Sequence, residues 1–288
     1  MNPIRLAVIG GSGLYQMKGL EILEERKIST PFGDPSDALI LGRLQGIPVV
    51  FLPRHGRGHR ILPSELNFRA NIWALKSLGV EYILSFSAVG SLSEKVEPGH
   101  LVMVDQFIDR TQGRASTFFG EGIVAHVAFG DPTCYQLRHL LHETALSLGA
   151  TSHLSGTYLC MEGPIFSTKA ESHLYRSWGA HVIGMTNLQE AKLAREAGIS
   201  YATVALSTDY DCWHPEHDQV SVEMILATLE NNALLAQNLI AQALPKMAEL
   251  GPSPYQDVLK HAILTNPKMV PEVVLKNLAL ILPKNYCP

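Results

Sequence analysis

The chain has 288 residues, of which 46% are hydrophobic and 17% are charged, so it can bury a sizeable core. Lys and Arg number 23 against 27 Asp and Glu, with no basic run, which argues against a nucleic-acid partner. The four cysteines are far apart and form no C-x-x-C pair, so neither a zinc site nor a disulfide framework is expected. The absence of a signal-peptide pattern and of a bilayer-length apolar stretch predicts a cytoplasmic protein without a membrane segment.

Eight apolar runs along the chain predict strands, and they alternate with helical patterns. The runs are 4–9, 38–44, 47–53, 81–87, 100–107, 156–161, 181–185 and 200–206. Gln45-Gly46, between the second and third runs, predicts a tight hairpin turn. The alternation predicts an α/β fold, with one domain over 1–288 and a central mixed β-sheet flanked by helices.

Three stretches carry the clearest helical signals. An apolar stripe over 137–148 ends at a glycine, which is typical of a helix C-terminus. Thr168-Lys169-Ala170-Glu171 has the form of a capping box. Helical spacing of apolar residues begins after Ser221 and continues over a long helix, and two prolines separate it from a last helical segment at about 271–281.

Five polar clusters lie at the predicted carboxyl ends of strands. Open α/β sheets bind ligands outside that edge, so we expect the clusters to form one site. The clusters are Gly10-Gly11-Ser12-Gly13, Arg54-His55-Gly56, Ser87-Ala88-Val89-Gly90, Met185-Thr186 and Thr208-Asp209.

Several of these residues are suited to holding an anion. Backbone N–H groups of the glycine loop and the Ser12 hydroxyl can approach a phosphate. A tight structural turn explains the loop equally well, because it lacks the G-x-G-x-x-G spacing and the G-K-[ST] ending. Arg54 offers a planar fork of donors. His55 and His59 raise the question of a metal, but no third ligand stands at a suitable spacing, so no metal site is expected.

Asp209 and Asp211 follow a run that predicts a buried strand. A buried carboxylate needs a partner or must take up a proton. An isolated Asp-x-Asp is more often a solvated turn, but here Leu206 and Cys212-Trp213 flank the pair, which favours a half-buried crevice. Such a crevice suits the binding of a polar heterocycle or the handling of a proton.

The chain contains, in this order, Gly10-Gly11-Ser12-Gly13, Thr30-Pro31-Phe32-Gly33-Asp34-Pro35-Ser36, Arg54-His55-Gly56-Arg57, Glu162-Gly163-Pro164 and Thr208-Asp209-Tyr210-Asp211-Cys212-Trp213. Together these motifs resemble the trimeric purine nucleoside phosphorylase family, and the Asp-Tyr-Asp form resembles its methylthioadenosine branch. The likeness extends from about residue 4 to residue 245 and more loosely into the tail. It implies phosphorolysis of 5'-methylthioadenosine to adenine and 5-methylthioribose 1-phosphate by a homotrimer, with inorganic phosphate as co-substrate and no cofactor.

The resemblance also implies roles for single residues. Phosphate contacts are matched by Ser12, Arg54, His55, Ser87, Ala88 and Thr186. Five further residues match the family's contacts to the nucleoside. Met185 matches the residue beneath the ribose, Phe166 the aromatic against the purine, and Ser167 a specificity residue beside it. Asp209 matches the residue that faces N7, and Asp211 one near the 6-amino edge. Asp209 is therefore the expected catalytic residue.

The 5' end of the substrate and the neighbouring subunit complete this implied site. The pocket for the 5'-methylthio group is matched by Val222, Ile225 and Leu226, although plain helix packing is the alternative, above all for Leu226. Val222, on the first turn of the helix, is expected to set specificity. His126 matches a residue lent by the neighbour, and the helical tail at about 252–288, near Ile281, matches a segment that closes the neighbour's site.

The chain departs from the family pattern in three ways. Ile165 stands where Arg is usual, which removes a charge beside the site. Asn187-Leu188-Gln189-Glu190 replaces a common Thr-Val-Pro-Glu. Ser12 and Ser87 stand where Thr is common, and they keep the hydroxyl.

Three other functions stay open. A 6-oxopurine nucleoside or methylthioinosine phosphorylase usually needs Asn at the base, whereas a carboxylate at Asp209 suits an amino group. A nucleosidase would use water, and the anion-binding residues argue for phosphate instead. A dinucleotide-binding module would need an acidic residue about 20 residues beyond the glycine loop, and Glu21, Glu24 and Glu25 come too early.

Overall fold

The computed structural model describes residues 4–11, 14, 17–215 and 222–286, with the backbone alone for 222–230. Within these ranges, one mixed sheet contains β1 (Leu6–Gly10), β2 (Leu20–Arg26), β3 (Leu39–Leu44), β4 (Ile47–Pro53), β5 (Tyr82–Ser91), β6 (Leu101–Met103), β7 (Gln106–Arg110), β8 (Ser152–His153), β9 (Thr157–Met161), β10 (Val182–Gly184) and β11 (Ser200–Asp209). The helices are α1 (Phe68–Ser77), α2 (Tyr135–Ser147), α3 (Lys169–Ser177), α4 (Asn187–Glu196), α5 (Val222–Ala248) and α6 (Glu272–Leu278).

The centre of the sheet is four parallel strands in the order β4, β1, β5 and β11. Every residue of β1 and β11 is buried, as expected for parallel strands covered on both faces. One face carries α1, α4 and the C-terminal tail, and the other carries α2 and α5. The predicted α/β fold with a mixed central sheet flanked by helices is therefore confirmed.

A change of strand direction brings further residues to the edge where the parallel strands end. β10 runs antiparallel to the last part of β5, with Val182 opposite Ser91 and Ile183 opposite Gly90. Met185 and Thr186 directly follow β10, so this pairing brings them to the part of the sheet that carries the Ser87–Gly90 cluster.

Local signals in the sequence predicted several details correctly. Gln45 and Gly46 join β3 to β4 with φ angles of 53° and 78°, which is the twist that a two-residue hairpin requires. Thr168 caps α3, and Glu171 returns the hydrogen bond of the capping box. The helices predicted over 137–148 and after Ser221 are present as α2 and α5.

Other elements were missed or misplaced. The run 100–107 is two strands, because the chain leaves β6 for β7 and pairs with a different neighbour. β2 was not predicted as a strand: it lies at the edge of the sheet, and exposure on its outer face lets glutamates interrupt the apolar pattern. α4 was missed because its first turns bury polar side chains instead of an apolar stripe. β5 and β11 extend further than predicted, so Ser87–Gly90 and Thr208–Asp209 lie within strands.

The C-terminal tail packs against its own chain. Leu259, Val274, Leu278 and Ile281 are buried in the same apolar cluster as α1 and α4. A short bridge pairs Ala125 with a tail residue, and the His126 N–H donates to the Ala262 carbonyl at 2.9 Å. His126 and the tail therefore lie side by side on the surface.

Candidate active site

A cavity of about 520 Å³ opens where β1 and β4 end, between β5, β10 and β11. Most of the predicted site residues line it: Arg54, His55, Ser87, Ala88, Phe166, Met185, Thr186, Asp209 and Asp211. The expectation that separate polar clusters form one site is therefore met by the geometry of the fold.

The remaining predicted residues fall into two groups. Ser12 and the side chains of Val222, Ile225 and Leu226 lie outside the described residues, although Gly11, Leu14 and Ala233 of the adjoining segments line the cavity. Ser167 and His126 are described and lie away from the cavity wall. The Ser167 hydroxyl contacts the Met161 sulfur at 3.8 Å, and His126 is exposed beside the tail.

Arg54 is buried beneath the cavity floor and forms an ion pair with Glu190 of α4. Its Nε donates to Glu190 Oε1 at 2.5 Å, and its Nη2 lies 3.1 Å from Oε2. Nη2 also donates to Ser85 Oγ at 2.5 Å, and Nη1 donates to the Phe86 carbonyl at 2.8 Å. Four of the five N–H groups of the guanidinium are engaged, which leaves one on Nη1. The orientation of the Arg54 side chain is therefore set by the residues behind it.

Glu190 is the functional residue that sequence reasoning undervalued. Its carboxylate also accepts hydrogen bonds from the Ser85 hydroxyl and from the Tyr201 hydroxyl, each at 2.8 Å. Asn187 joins the same buried network by donating to Ser85 Oγ at 2.9 Å. A signal was present, since Glu is the one residue shared by Asn187-Leu188-Gln189-Glu190 and the family's common Thr-Val-Pro-Glu.

His55 is an uncharged hydrogen-bonding group in this site. Its Nδ1 lies 2.8 Å from the Ile61 carbonyl, which can only accept, so Nδ1 carries the proton. Burial, followed by the positive charge of Arg54, lowers the pKa of His55 to about 4. Nε2 is consequently a bare acceptor at neutral pH, suited to receive a hydrogen bond from a protonated phosphate oxygen.

Donors for an anion also come from the start of α4. Thr186 precedes the helix, and its hydroxyl makes no capping hydrogen bond. The N-terminus of a helix carries a partial positive charge and unpaired N–H groups, which favour an anion. The buried Tyr158 hydroxyl accepts from Thr186 N at 3.4 Å and hydrogen-bonds the Ser87 side chain, so one group orders both residues.

Two buried carboxyl groups also line the cavity. Asp209 accepts hydrogen bonds from the Thr208 hydroxyl at 2.6 Å and from the Asp211 N–H at 2.7 Å. Burial raises the pKa of Asp209, and these two hydrogen bonds oppose the rise. Burial also raises the pKa of Asp211, with a smaller contribution from the charge of Asp209. Carboxyls with raised pKa values can exchange a proton with a bound heterocycle near neutral pH.

Arg114 holds the strand ends that frame the cavity, and no motif indicated it. Its guanidinium donates to the backbone carbonyls of Met185 and Glu162 and lies 3.1 Å from the Glu162 carboxylate. These contacts fasten the loop after β9 to the loop after β10. Arg114 thereby fixes the backbone that carries Met185, a role that depends on contacts distant in sequence.

Metal binding finds no support in the described part of the chain. No group of three or more His, Cys, Asp or Glu side chains there is arranged to hold an ion. His55 and His59 do stack on each other, with ring centroids 4.3 Å apart. The described helices also include none with the length and apolar character that crossing a membrane requires.

Comparison with known proteins places this arrangement in a family. The chain belongs to the phosphorylase superfamily, whose sequence model matches residues 5–245. An S-methyl-5'-thioadenosine phosphorylase of Thermosynechococcus vestitus is 57% identical over 284 residues, which is 97% of this chain and 98% of that protein. Another of the same name, from Geobacter sulfurreducens, is 53% identical over 278 residues, covering 96% and 97%.

Solved structures agree with the sequence relatives. A methylthioadenosine phosphorylase from an antarctic soil metagenomic library superposes with a TM-score of 0.94 at 49% identity, over 98% of this chain and 100% of that one. A methylthioadenosine phosphorylase from Schistosoma mansoni, solved in complex with adenine, superposes with a TM-score of 0.82 at 34% identity, over 96% and 97%. The fold of a nucleoside phosphorylase thus extends over nearly the whole chain.

The Arg54–Glu190 pair leads to a prediction about stability and phosphate binding. Replacing Glu190 by Gln leaves a buried guanidinium without its counter-charge, so the free energy of unfolding should fall by about 3–5 kcal/mol in urea denaturation. The phosphate KM should rise because Arg54 loses its orientation. As a matched control, Glu94 is 76% exposed and lies 3.7 Å from Arg176. Glu94→Gln should cost less than about 1 kcal/mol. Equal effects of the two substitutions would contradict the role given to Glu190.

Proposed function

We propose that this enzyme transfers the 5-methylthioribosyl group of 5'-methylthioadenosine to inorganic phosphate, releasing adenine, in the salvage of purines and methionine. The observation that carries the proposal is one cavity lined both by phosphate-type donors and by two buried carboxyls. The names of relatives more than 50% identical over nearly the whole chain supply the substrate. Phosphate is a co-substrate, and the reaction needs no cofactor.

The donors would hold phosphate beneath the sugar. In this proposal the remaining N–H of Arg54, the hydroxyls of Ser87, Thr186 and Ser12, and the backbone at Ala88 contact phosphate oxygens. His55 Nε2 accepts a hydrogen bond from the phosphate hydroxyl. A phosphate oxygen forms a bond to C1' while the C1'–N9 bond breaks and its electron pair passes to the purine. Positioning of two reactants and stabilisation of charge on the sugar account for most of the acceleration.

The carboxyls would hold the base and move its proton. Asp209 donates a proton to N7 as the C1'–N9 bond breaks, so that adenine leaves as a neutral molecule. Asp211 accepts a hydrogen bond from the 6-amino group. Phe166 packs against the purine with Ser167 beside it, and Met185 lies beneath the ribose. The raised pKa of Asp209 supports this role, because a proton must be present on the carboxyl before it can be donated.

The proposal is tested by measuring adenine release from 5'-methylthioadenosine with and without phosphate. Adenosine and inosine serve as parallel substrates. We expect release to depend on phosphate and to be fastest with methylthioadenosine. Equally fast release in phosphate-free buffer would identify a nucleosidase, and preference for inosine would identify a 6-oxopurine enzyme.

Asp209→Asn keeps the size of the side chain and removes the proton and the anionic acceptor. The rate with methylthioadenosine should fall, and the relative rate with 6-oxopurine nucleosides should rise, by an amount equivalent to about 1–3 kcal/mol. The measurement is the ratio of kcat/KM for methylthioadenosine to that for inosine. An unchanged ratio would show that Asp209 does not contact the base.

The 5' pocket is proposed to begin with Val222, Ile225 and Leu226 at the start of α5. Val222→His introduces a donor that suits a 5'-hydroxyl better than a thioether, so kcat/KM should shift from methylthioadenosine toward adenosine. Ala233→Val, about three turns further along α5, changes the shape of the cavity wall without adding a hydrogen-bond donor and serves as the control. If Val222→His leaves the preference for methylthioadenosine untouched, the 5' group is bound elsewhere.

We further propose a cytoplasmic homotrimer, in which His126 and the tail complete a neighbour's site. Val124, Leu264, Met269 and Val273 are exposed apolar residues on the surface that His126 shares with the tail, and such a patch favours contact between subunits. A site shared head to tail implies a closed ring. The buried free thiols Cys134 and Cys160 are compatible with a reducing compartment.

Charged substitutions on this patch test the trimer without disturbing the buried part of the tail. Met269→Glu and Val273→Glu should shift the sedimentation coefficient from trimer to monomer and raise the KM for methylthioadenosine. Leu146→Glu, at an exposed apolar position on α2, is the control. A native protein that sediments as an active monomer would exclude a shared site.

A further inference from the structure

The side chains that line the cavity provide little net positive charge to compensate the negative charge of a bound phosphate. Among the described residues that line it, the ionisable side chains are Arg54, His55, His59, Asp209 and Asp211. The charge of Arg54 is matched by the carboxylate of Glu190 behind it, at 2.5 Å. His55 is neutral, as its hydrogen bond to Ile61 and its burial require. Neither residue adds net positive charge for a phosphate dianion.

His59 occupies the position from which that charge can come. Its ring stacks on His55 with centroids 4.3 Å apart and planes inclined by 26°, and it lines the cavity while remaining exposed to water. An exposed imidazole can take up a proton without the desolvation that keeps His55 neutral. The His59 ring thus packs on the face of the His55 ring, at the opening of the part of the cavity where we propose that phosphate binds.

The loop is shaped to place this ring. Gly56 and Gly58 have positive φ angles of 68° and 81°, and His59 itself has φ 52°. The chain turns back so that the His59 N–H donates to the Gly56 carbonyl at 3.1 Å. A left-handed conformation is unfavourable for histidine, and such conformations persist where the surroundings hold them, often at functional sites.

The other charged side chains of this loop, Arg57 and Arg60, have partners of their own. Arg57 forms ion pairs with Glu25 at 2.8 Å and Asp37 at 3.1 Å. Arg60 donates to the Ser36 carbonyl at 3.1 Å. Among the described residues that line the cavity, His59 is thus the ionisable one whose positive charge could face a bound anion.

We infer that His59 is a phosphate-binding residue, whose imidazolium covers the open side of the anion subsite and supplies the positive charge that the Arg54–Glu190 pair does not. This inference rests on the proposed phosphorylase function. A charge-assisted hydrogen bond is stronger than a neutral one, so its loss should be measurable in the phosphate KM.

Three variants isolate the charge. Asn accepts the left-handed backbone and has no charge, so His59→Asn removes the cation without a folding penalty. His59→Lys replaces it with a cation that persists at alkaline pH. His139→Asn is the matched control, because His139 also packs against a ring, with its centroid 4.0 Å from that of Tyr135, and is not among the residues that line the cavity. Circular dichroism and melting temperature verify that all three are folded.

The readout is the phosphate KM of each variant divided by that of the unsubstituted enzyme at the same pH, which cancels the ionisation of phosphate itself. We expect His59→Asn to raise this ratio about tenfold, which corresponds to about 1.4 kcal/mol. His59→Lys, which keeps a cation at this position, should hold the ratio near one or lower it. The KM for methylthioadenosine at saturating phosphate should change less than about twofold throughout.

Two failures are distinguishable. If the unsubstituted enzyme releases adenine without phosphate, the proposed function is wrong and this inference is wrong with it. If release depends on phosphate but His59→Asn behaves like His139→Asn, the phosphorylase function stands and His59 has no part in binding phosphate. A His59→Asn effect that His59→Lys fails to reverse also overturns the inference, because packing of the ring would then explain it.

Discussion

The buried ion pair between Arg54 and Glu190 is the interaction on which the rest of the site depends. It joins the end of β4 to the first turns of α4, and Ser85 of β5 and Tyr201 of β11 hydrogen-bond the same carboxylate. Three of the four central parallel strands and one helix are therefore tied together at the floor of the cavity. A charged pair is costly to bury, so its contribution is geometric: it holds one arginine N–H and one helix N-terminus in fixed positions.

Neutralising Arg54 has a consequence for the electrostatics of the cavity. With His55 uncharged, the floor presents directed donors instead of net positive charge. Asp209 and Asp211, which line the same cavity, are buried where carboxyls hold protons more tightly. One cavity thus combines directed donors suited to an anion with carboxyls suited to proton exchange with a heterocycle. The stacked pair of His55 and His59 lies where the donor wall meets water.

Strand direction decides which side chains share this cavity. Parallel strands bring Arg54, Ser87 and Asp209 to one edge, as the general behaviour of open α/β sheets predicts. Met185 and Thr186 arrive by a different route, because β10 runs antiparallel to the extended end of β5. Arg114 then fastens the Met185 backbone from a segment far away in sequence. Residues of this site come from strands that run in opposite directions, so no single edge of the sheet positions all of them. The contact from Arg114 supplies the additional support for Met185.

The sequence by itself determined the fold class, the hairpin at Gln45-Gly46, the cap at Thr168 and most residues of the cavity wall, because period, turn chemistry and polar groups after buried strands are local signals. It did not reveal β2, α4 or the division of 100–107. An edge strand can tolerate charges, a helix can bury polar residues when partners satisfy them, and a bend leaves no mark in hydropathy. Only the tertiary structure paired Arg54 with Glu190, set Arg114 behind Met185 and laid His59 on His55. Those contacts join segments by geometry that residue type and spacing do not encode.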